Sequence, residues 1–326
     1  MTGTTGKKVL ALSGGVGGAK LALGLSKVLA PEQLTIVANT GDDFEHLGLS
    51  ICPDLDSVMY ALSGVNDTVR GWGVSGESWQ CLESLGRLGA ETWFQLGDRD
   101  LATHLQRSFL LGQGLTLSEV TTALCSALGI AANLLPMSDQ PVRTEVITDA
   151  GTLPFQTYFV REQCQPRVSS FHFSGVESAP PSPGFLAMLQ DPALALVVIC
   201  PSNPFVSVDP ILSLPGVRAA LEQSAAAVVA VSPIVGGRAL KGPAAKMLQE
   251  LGKDSSATAV AAHYAGLADA FVLDQSDATL IPGIRALGMD VLCLQTVMHS
   301  LEDKVGLAQA LLDALLPNTV NAGLVV

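Results

Sequence analysis

Residues 8–39 read KVLALSGGVGGAKLALGLSKVLAPEQLTIVAN, and the order of elements within them decides the fold. Lys8 to Ser13 is an apolar run of strand length that empties into Gly14-Gly15-Val16-Gly17-Gly18. From Ala19 to Leu29 apolar residues recur at helical spacing, and Leu34 to Asn39 is a second strand-length run. Two strands joined by a helix predict a right-handed βαβ unit whose loops open together on the carboxyl edge of a parallel sheet. Glycines let backbone amides approach a phosphate, and the helix N-terminus behind them carries partial positive charge. The spacing is no dinucleotide fingerprint: GxGxxG counted from Gly15 puts Lys20 at the third glycine, and GxxxxGK[ST] fails as well. A tight strand-to-helix turn without a ligand is the alternative reading.

Directly after the second strand comes an acidic stretch, Ala38 to Leu62, ANTGDDFEHLGLSICPDLDSVMYAL. Asp42, Asp43, Glu45, Asp54 and Asp56 crowd two turns. Like charges this close repel and call for a cation, so the stretch is expected to hold a divalent metal against a diphosphate. Asp54 or Asp56 is available to cap the apolar helical run Ser57 to Leu62. A cap accounts for one aspartate and leaves the others without a structural role. Spacing alone separates neither Asp42 from Asp43 nor Asp54 from Asp56.

Further along, residues 70–180 change character. All three tryptophans (Trp72, Trp79, Trp93) fall here, with helical patterns near Glu77 to Gly89, Leu101 to Leu111 and Leu117 to Leu128. The run Gly97-Asp98-Arg99-Asp100 marks a helix start, either as a cap with a surface ion pair or with Arg99 as a ligand for an anion or a flat ring. Arg143 to Thr148 and Phe155 to Val160 read as a hairpin around Asp149-Ala150-Gly151-Thr152. Strand and helix alternate again from Leu194 to Cys200, through Ala226 to Ser232, Ala270 to Asp274 and Asp290 to Gln295, to a closing helix from Leu301 to Leu315. The expected fold is α/β: a Rossmann-like, mostly parallel sheet with helices on both faces and a large inserted helical and β-hairpin region. Residues 1–69 and 190–326 would form the core, and residues 70–189 an inserted substrate-binding cap.

Composition narrows the class of function. With 326 residues, 48% hydrophobic and 15% charged, the chain has the make-up of an apolar enzyme. A net charge of −12 excludes a broad nucleic-acid surface, although a metal ion would still let an acidic pocket hold a phosphorylated ligand. No apolar tract is long enough to span a membrane, and the N-terminal stretch leads into a strand rather than a signal peptide, so a cytoplasmic location is expected. The six cysteines lack a CxxC pair and read as reduced structural thiols. His46 and His104 lie near the motifs, but a lone histidine is more often structural.

The ordered set SGGVGGAK, ANTGDDFEHLGL, CPDLDSVMYAL, GDRDLATH, LLPMSD, PSNPFVSVDPIL, VSPIVGG and KGPAAK resembles the 2-phospho-L-lactate transferase family (CofD/FbiA) of coenzyme F-420 biosynthesis, from Val9 to Leu315. The resemblance implies transfer of a phospho-three-carbon-acid group to the deazaflavin Fo (7,8-didemethyl-8-hydroxy-5-deazariboflavin). The donor would be a guanosine-diphosphate-linked acid carrying phospholactate, phosphoenolpyruvate or 3-phosphoglycerate, with GMP released and Mg²⁺ as cofactor. It further implies a homodimer with small-molecule partners and neither nucleic acid nor membrane. By the same resemblance Asp42 and Asp56 are catalytic and bind the metal. Asn39, Thr40, Asp56, Asp98 and Arg99 would bind Fo, and Gly14, Gly15, Gly17, Gly18, Ser202 and Asn203 would face nucleotide and phosphates. One carboxylate cannot easily be both metal ligand and base, so the base is left open. The competing reading is a YvcK-like nucleotide-sugar-binding regulator; such proteins tend to carry a PGDIRN-like stretch in place of Pro53-Asp54-Leu55-Asp56-Ser57 and lack GDRDLATH. An NAD-dependent dehydrogenase is disfavoured by the broken glycine fingerprint.

Overall fold

The structure is a computed structural model that describes residues 6–316; residues 1–5 and 317–326 of the expected core lie outside the described residues. Its centre is a seven-stranded sheet made of β1 (Lys8–Ser13), β2 (Leu34–Ala38), β3 (Asn133–Pro136), β4 (Leu194–Ile199), β5 (Ala227–Val231), β6 (Ala270–Asp274) and β7 (Asp290–Leu294). Every neighbouring pair is parallel, and the order across the sheet is β7-β6-β5-β4-β1-β2-β3. This is the expected α/β architecture.

Alternate side chains of each strand enter two separate cores, which is why the strands are apolar throughout. Val9, Ala11 and Val198 face one side with Leu21 and Leu25 of α1 (Gly15–Val28), Val58 and Met59 of α2 (Pro53–Ser63), and Leu307 and Leu311 of a C-terminal helix (Leu301–Leu315). Leu10, Leu12, Val197 and Ile199 face the other side with Phe185, Ile211, Met247 and Val260.

Two details differ from the sequence reading. The edge strand β3 pairs in parallel with β2 although it lies inside the expected insertion, so residues 70–189 are not wholly outside the sheet. The second strand of the expected hairpin is Gly151–Pro154 rather than Phe155 to Val160, and Val168–Ser174 completes a three-stranded antiparallel sheet around Arg143–Thr148. Phe155, Tyr158 and Phe159 sit at i, i+3 and i+4, a helical spacing, and the chain coils there: Tyr158 is buried, and the Phe155 and Phe159 rings stack with centroids 5.5 Å apart.

The chain leaves β1 toward β2 on one side, while β4 lies on the other. Ligands of such sheets bind in the crevice where the order reverses. Here the crevice floor is tightly closed by glycine. A Cβ on Gly18 would stand 2.5 Å from Ser13 Oγ and 2.6 Å from Ser202 Oγ, and one on Gly17 would run into the Pro201 carbonyl.

Candidate active site

The end of β2 turns sharply at Asn39, and this buried amide organises the carboxylates around it. Its Oδ1 accepts from the Gly41 N–H at 2.8 Å. Its Nδ2 donates to Asp54 Oδ2 at 2.9 Å and lies 3.3 Å from Asp42 Oδ1. Asp54 sits in the first turn of α2 and accepts at Oδ1 from the Gly15 N–H at 2.6 Å, while the Asn39 N–H donates to the Ser13 carbonyl at 2.9 Å, so the turn after β2 lies beside the glycine loop as the βαβ unit implies. Gln156, from beyond the β-hairpin, reaches Asp42 Oδ2 at 3.1 Å.

Asp42, Asp43 and Asp54 are all nearly excluded from solvent. Burial, reinforced by the neighbouring Asp54 and Asp43, pushes the Asp42 carboxyl well above the usual range. Burial raises Asp43 to about 7 against the pull of Cys52, Arg143 and Arg107, and raises Asp54 to about 6 against hydrogen bonds from Asn39, Gly15 and Ser207. Asp43 Oδ1, Thr40 Oγ1 and Ser13 Oγ are buried and find no hydrogen-bond partner among the described residues. Buried polar atoms are ordinarily satisfied, so these three mark space for a ligand, an ion or water.

Asp56 faces elsewhere. The guanidinium of Arg107 clamps both of its oxygens, with Nη1 at 3.0 Å from Oδ2 and Nη2 against Oδ1. Arg107 lies on α3 (Asp98–Gly112), fully buried, and the Asp56 charge holds it protonated against the pull of burial. Asp100, His104 and Arg107 share one helix face at i, i+4 and i+7. His104 Nδ1 stands 3.2 Å from Arg107 Nη1, and Tyr60 donates to Asp100 at 2.6 Å. Asp56 thus locks α3 to α2, whereas Asp54 joins Asp42. Neither caps α2: its N-cap is Cys52, without a side-chain cap bond.

The remaining expected site residues are engaged within the fold. Ser202 Oγ accepts from the Gly14 N–H at 3.0 Å and donates to the Gly14 carbonyl at 2.7 Å. Asn203 Oδ1 accepts from Phe205 N–H and caps the turn Pro204–Val208. The Gly14 and Gly15 amides, expected to face phosphate, are therefore already bonded. Asp98 accepts from Ser78 Oγ and the Gln80 and Cys81 amides, which caps the helix Gln80–Arg87. Glu77 in turn caps α3 through the Arg99 and Asp100 amides, and exposed Arg99 donates to the Ser75 carbonyl at 2.8 Å.

Among the described residues no group of three or more His, Cys, Asp or Glu side chains is placed to hold a metal ion. Magnesium does not require one, because it keeps several waters and takes one or two carboxylates plus substrate phosphates. Asp42 and Asp54 offer hard oxygen donors bridged by one amide, beside the unpartnered Asp43 Oδ1, and this set fits magnesium. Asp56, with both oxygens on Arg107, fits it poorly.

These carboxylates also make stability depend on pH. In the folded chain Asp54 and Asp43 hold protons up to about pH 6 and 7, whereas unfolded aspartates release them near 3.8. Their contribution is fully present below the unfolded value and is lost as pH rises through the folded ones. The melting temperature in chelator should therefore fall between about pH 4 and 7 and level off above that, and Asp43→Asn should flatten the slope between about pH 6 and 7. Added Mg²⁺ should raise it at pH 8 more than at pH 5.5. Scanning calorimetry checks this; a flat profile in chelator would contradict it.

Comparison with known proteins supplies the family. Residues 9–283 match the profile described as 2-phospho-L-lactate transferase CofD. The chain is 38% identical over 312 residues to the phosphoenolpyruvate transferase of Streptomyces griseus, covering 94% of this chain and 98% of that one. It is 40% identical over 310 residues to the protein of the same name from Mycobacterium tuberculosis, covering 87% of this chain and 93% of that one. A crystal structure of a UPF0052 family member from Bacillus halodurans superposes with a TM-score of 0.62 at 17% identity, over 95% of this chain and 100% of that one, a likeness of fold. No helix among the described residues is long and apolar enough to cross a membrane. With its parallel sheet, its carboxylates gathered at the switch of strand order and these relatives, the chain belongs to the 2-phospho-L-lactate transferase CofD family.

Proposed function

We propose that this chain transfers a phospho-three-carbon-acid group from a guanosine-diphosphate-linked donor to the terminal ribityl hydroxyl of Fo, releasing GMP, in coenzyme F-420 biosynthesis. The observation that carries the reading is the Asn39-bridged pair of buried carboxylates, Asp42 and Asp54, beside the N-terminus of α1. Family membership supports the reaction class. Phosphoenolpyruvate is the favoured acid, because the similar chains from Streptomyces griseus and Mycobacterium tuberculosis carry the name phosphoenolpyruvate transferase. The product would then be dehydro coenzyme F-420-0.

In this reaction the ribityl oxygen forms a bond to the phosphorus bearing the acid, and the bond from that phosphorus to the bridging oxygen breaks, so the pair of electrons leaves with GMP. Asp42 and Asp54 would hold magnesium, which would neutralise the charge on the diphosphate oxygens. Asn39 and Gln156 fix the two carboxylates so that no reorganisation is needed as that charge grows. Asp43 is suited to accept the hydroxyl proton: one oxygen has no protein partner, and its affinity for a proton, near pH 7, matches the task. The buried Thr40 hydroxyl, also without a partner among the described residues, would bond the ribityl chain.

The test is mass analysis of the product when Fo and Mg²⁺ meet the three guanylated donors in competition. The expected product is dehydro coenzyme F-420-0. No product from any donor, together with tight UDP-sugar binding, would point instead to a nucleotide-sugar-binding regulator.

A further inference from the structure

The charges of two arginines, Arg143 and Arg107, act on Asp43, and the fold consumes only one of them. Arg107 has both terminal nitrogens on Asp56, so its charge is already matched. Arg143, at the head of the strand Arg143–Thr148, makes a single hydrogen bond among the described residues, from Nη1 to the carbonyl of its own neighbour Val142 at 2.8 Å. It pairs with no carboxylate there, not even with Glu145 on the same face of the strand. A guanidinium offers a fork of N–H donors, and most of this one, with its whole charge, is left over in a half-buried position.

The backbone fixes this arginine at the acidic turn. The amide of Thr144, next in the chain, donates to the Gly41 carbonyl at 2.6 Å, and a Cβ on Gly41 would stand 2.9 Å from Thr144 Oγ1. That hydroxyl is itself buried and without a partner among the described residues. The segment leading to the strand follows the same edge of the sheet, where the Met137 amide donates to the Ala38 carbonyl at 2.9 Å. Arg143 therefore stands where the end of β2 runs into Asp42 and Asp43.

The need for a free cation at this place is chemical. Metal on Asp42 and Asp54 would answer the diphosphate, but the three-carbon acid brings a carboxylate of its own beside three buried aspartates, Asp42, Asp43 and Asp54. Another negative group enters such a site only against an opposite charge. The planar arginine fork matches a carboxylate with two parallel hydrogen bonds.

We propose that Arg143 binds the carboxylate of the three-carbon acid and so selects a donor with a charged carboxyl over one without it. The inference rests on the proposed reading of the reaction and adds the residue that recognises the acid.

Steady-state kinetics with guanylated phosphoenolpyruvate and with its methyl ester, which is neutral at the carboxyl, tests the assignment. Wild type should prefer the acid. Arg143→Gln should lower kcat/KM for the acid by about 10- to 100-fold, mainly by raising KM, and leave that for the ester nearly unchanged, so that the preference collapses. Arg143→Lys keeps the charge and loses the fork; its preference should fall between the two, and it reports on the site even if Arg143→Gln does not fold. No preference in wild type, or a ratio of acid to ester unchanged from wild type in either variant, would overturn the assignment while leaving the proposed reaction standing. An equal loss with both donors would be such a result, and would mean that Arg143 acts only through Asp43. Absence of turnover with either donor in wild type would overturn both the assignment and the reaction.

Discussion

Asp42→Asn and Asp54→Asn are each expected to lower the rate of phosphoacid transfer by roughly 10²–10³-fold or more while leaving the chain folded. The two side chains share the Asn39 amide at 3.3 and 2.9 Å and supply the oxygen donors suited to magnesium. An amide in place of either carboxylate keeps the shape and removes a charge that burial already makes costly in its ionised form. Each carboxylate accepts at both oxygens, so the amide strands one donor and offsets part of that gain; both variants should melt near the wild-type temperature at pH 8 in chelator, and both should lose the gain from Mg²⁺. Steady-state turnover and calorimetry on the same samples check the pair of effects. Turnover at the wild-type rate in either variant would remove that residue from the mechanism.

Arg107→Met is expected to destabilise the fold by about 3–5 kcal/mol, because it leaves the Asp56 carboxylate buried without its partner. The cost of breaking such a pair exceeds the value of forming it, since the remaining charge keeps its desolvation penalty. Asp56→Asn should lose stability in the same way by stranding the guanidinium, whose Nε already lacks a partner. The double variant Asp56→Asn/Arg107→Met should recover much of the loss, because both charges are then gone. Denaturant melts of the four proteins complete the cycle. If Asp56→Asn instead abolished turnover at unchanged stability, Asp56 would be a catalytic group, as the family resemblance implied.

The two carboxylate pairs show what the sequence could carry and what it could not. The β1–α1–β2 unit was legible because local periodicity and two glycine-ended strands leave few alternatives. The closeness of the acidic turn to the glycine loop followed from it, and the Asn39 N–H to Ser13 carbonyl bond at 2.9 Å is that contact. The choice between Asp54 and Asp56 was not legible: residues two apart on a helix point to nearly opposite sides, and nothing local says which side faces Asn39. Arg107 left a signal that went unread, since Asp100, His104 and Arg107 place three polar residues on one face at the spacing of a buried stripe. The strand β3 is only four residues long and was hidden by its brevity. Lys20 and Lys304 meet only through the packing of α1 against the helix Leu301–Leu315, a relation across almost the whole chain that local periodicity does not record.

The most direct measurement of the central claim is a single-turnover reaction of enzyme, Fo, Mg²⁺ and guanylated phosphoenolpyruvate, run in parallel with wild type and Asp42→Asn. The expected result is one GMP released for each Fo consumed by wild type, with neither event in the variant over the same time. GMP release by wild type without consumption of Fo, or equal turnover by both proteins, would contradict the claim that these buried carboxylates drive phosphoacid transfer to the deazaflavin.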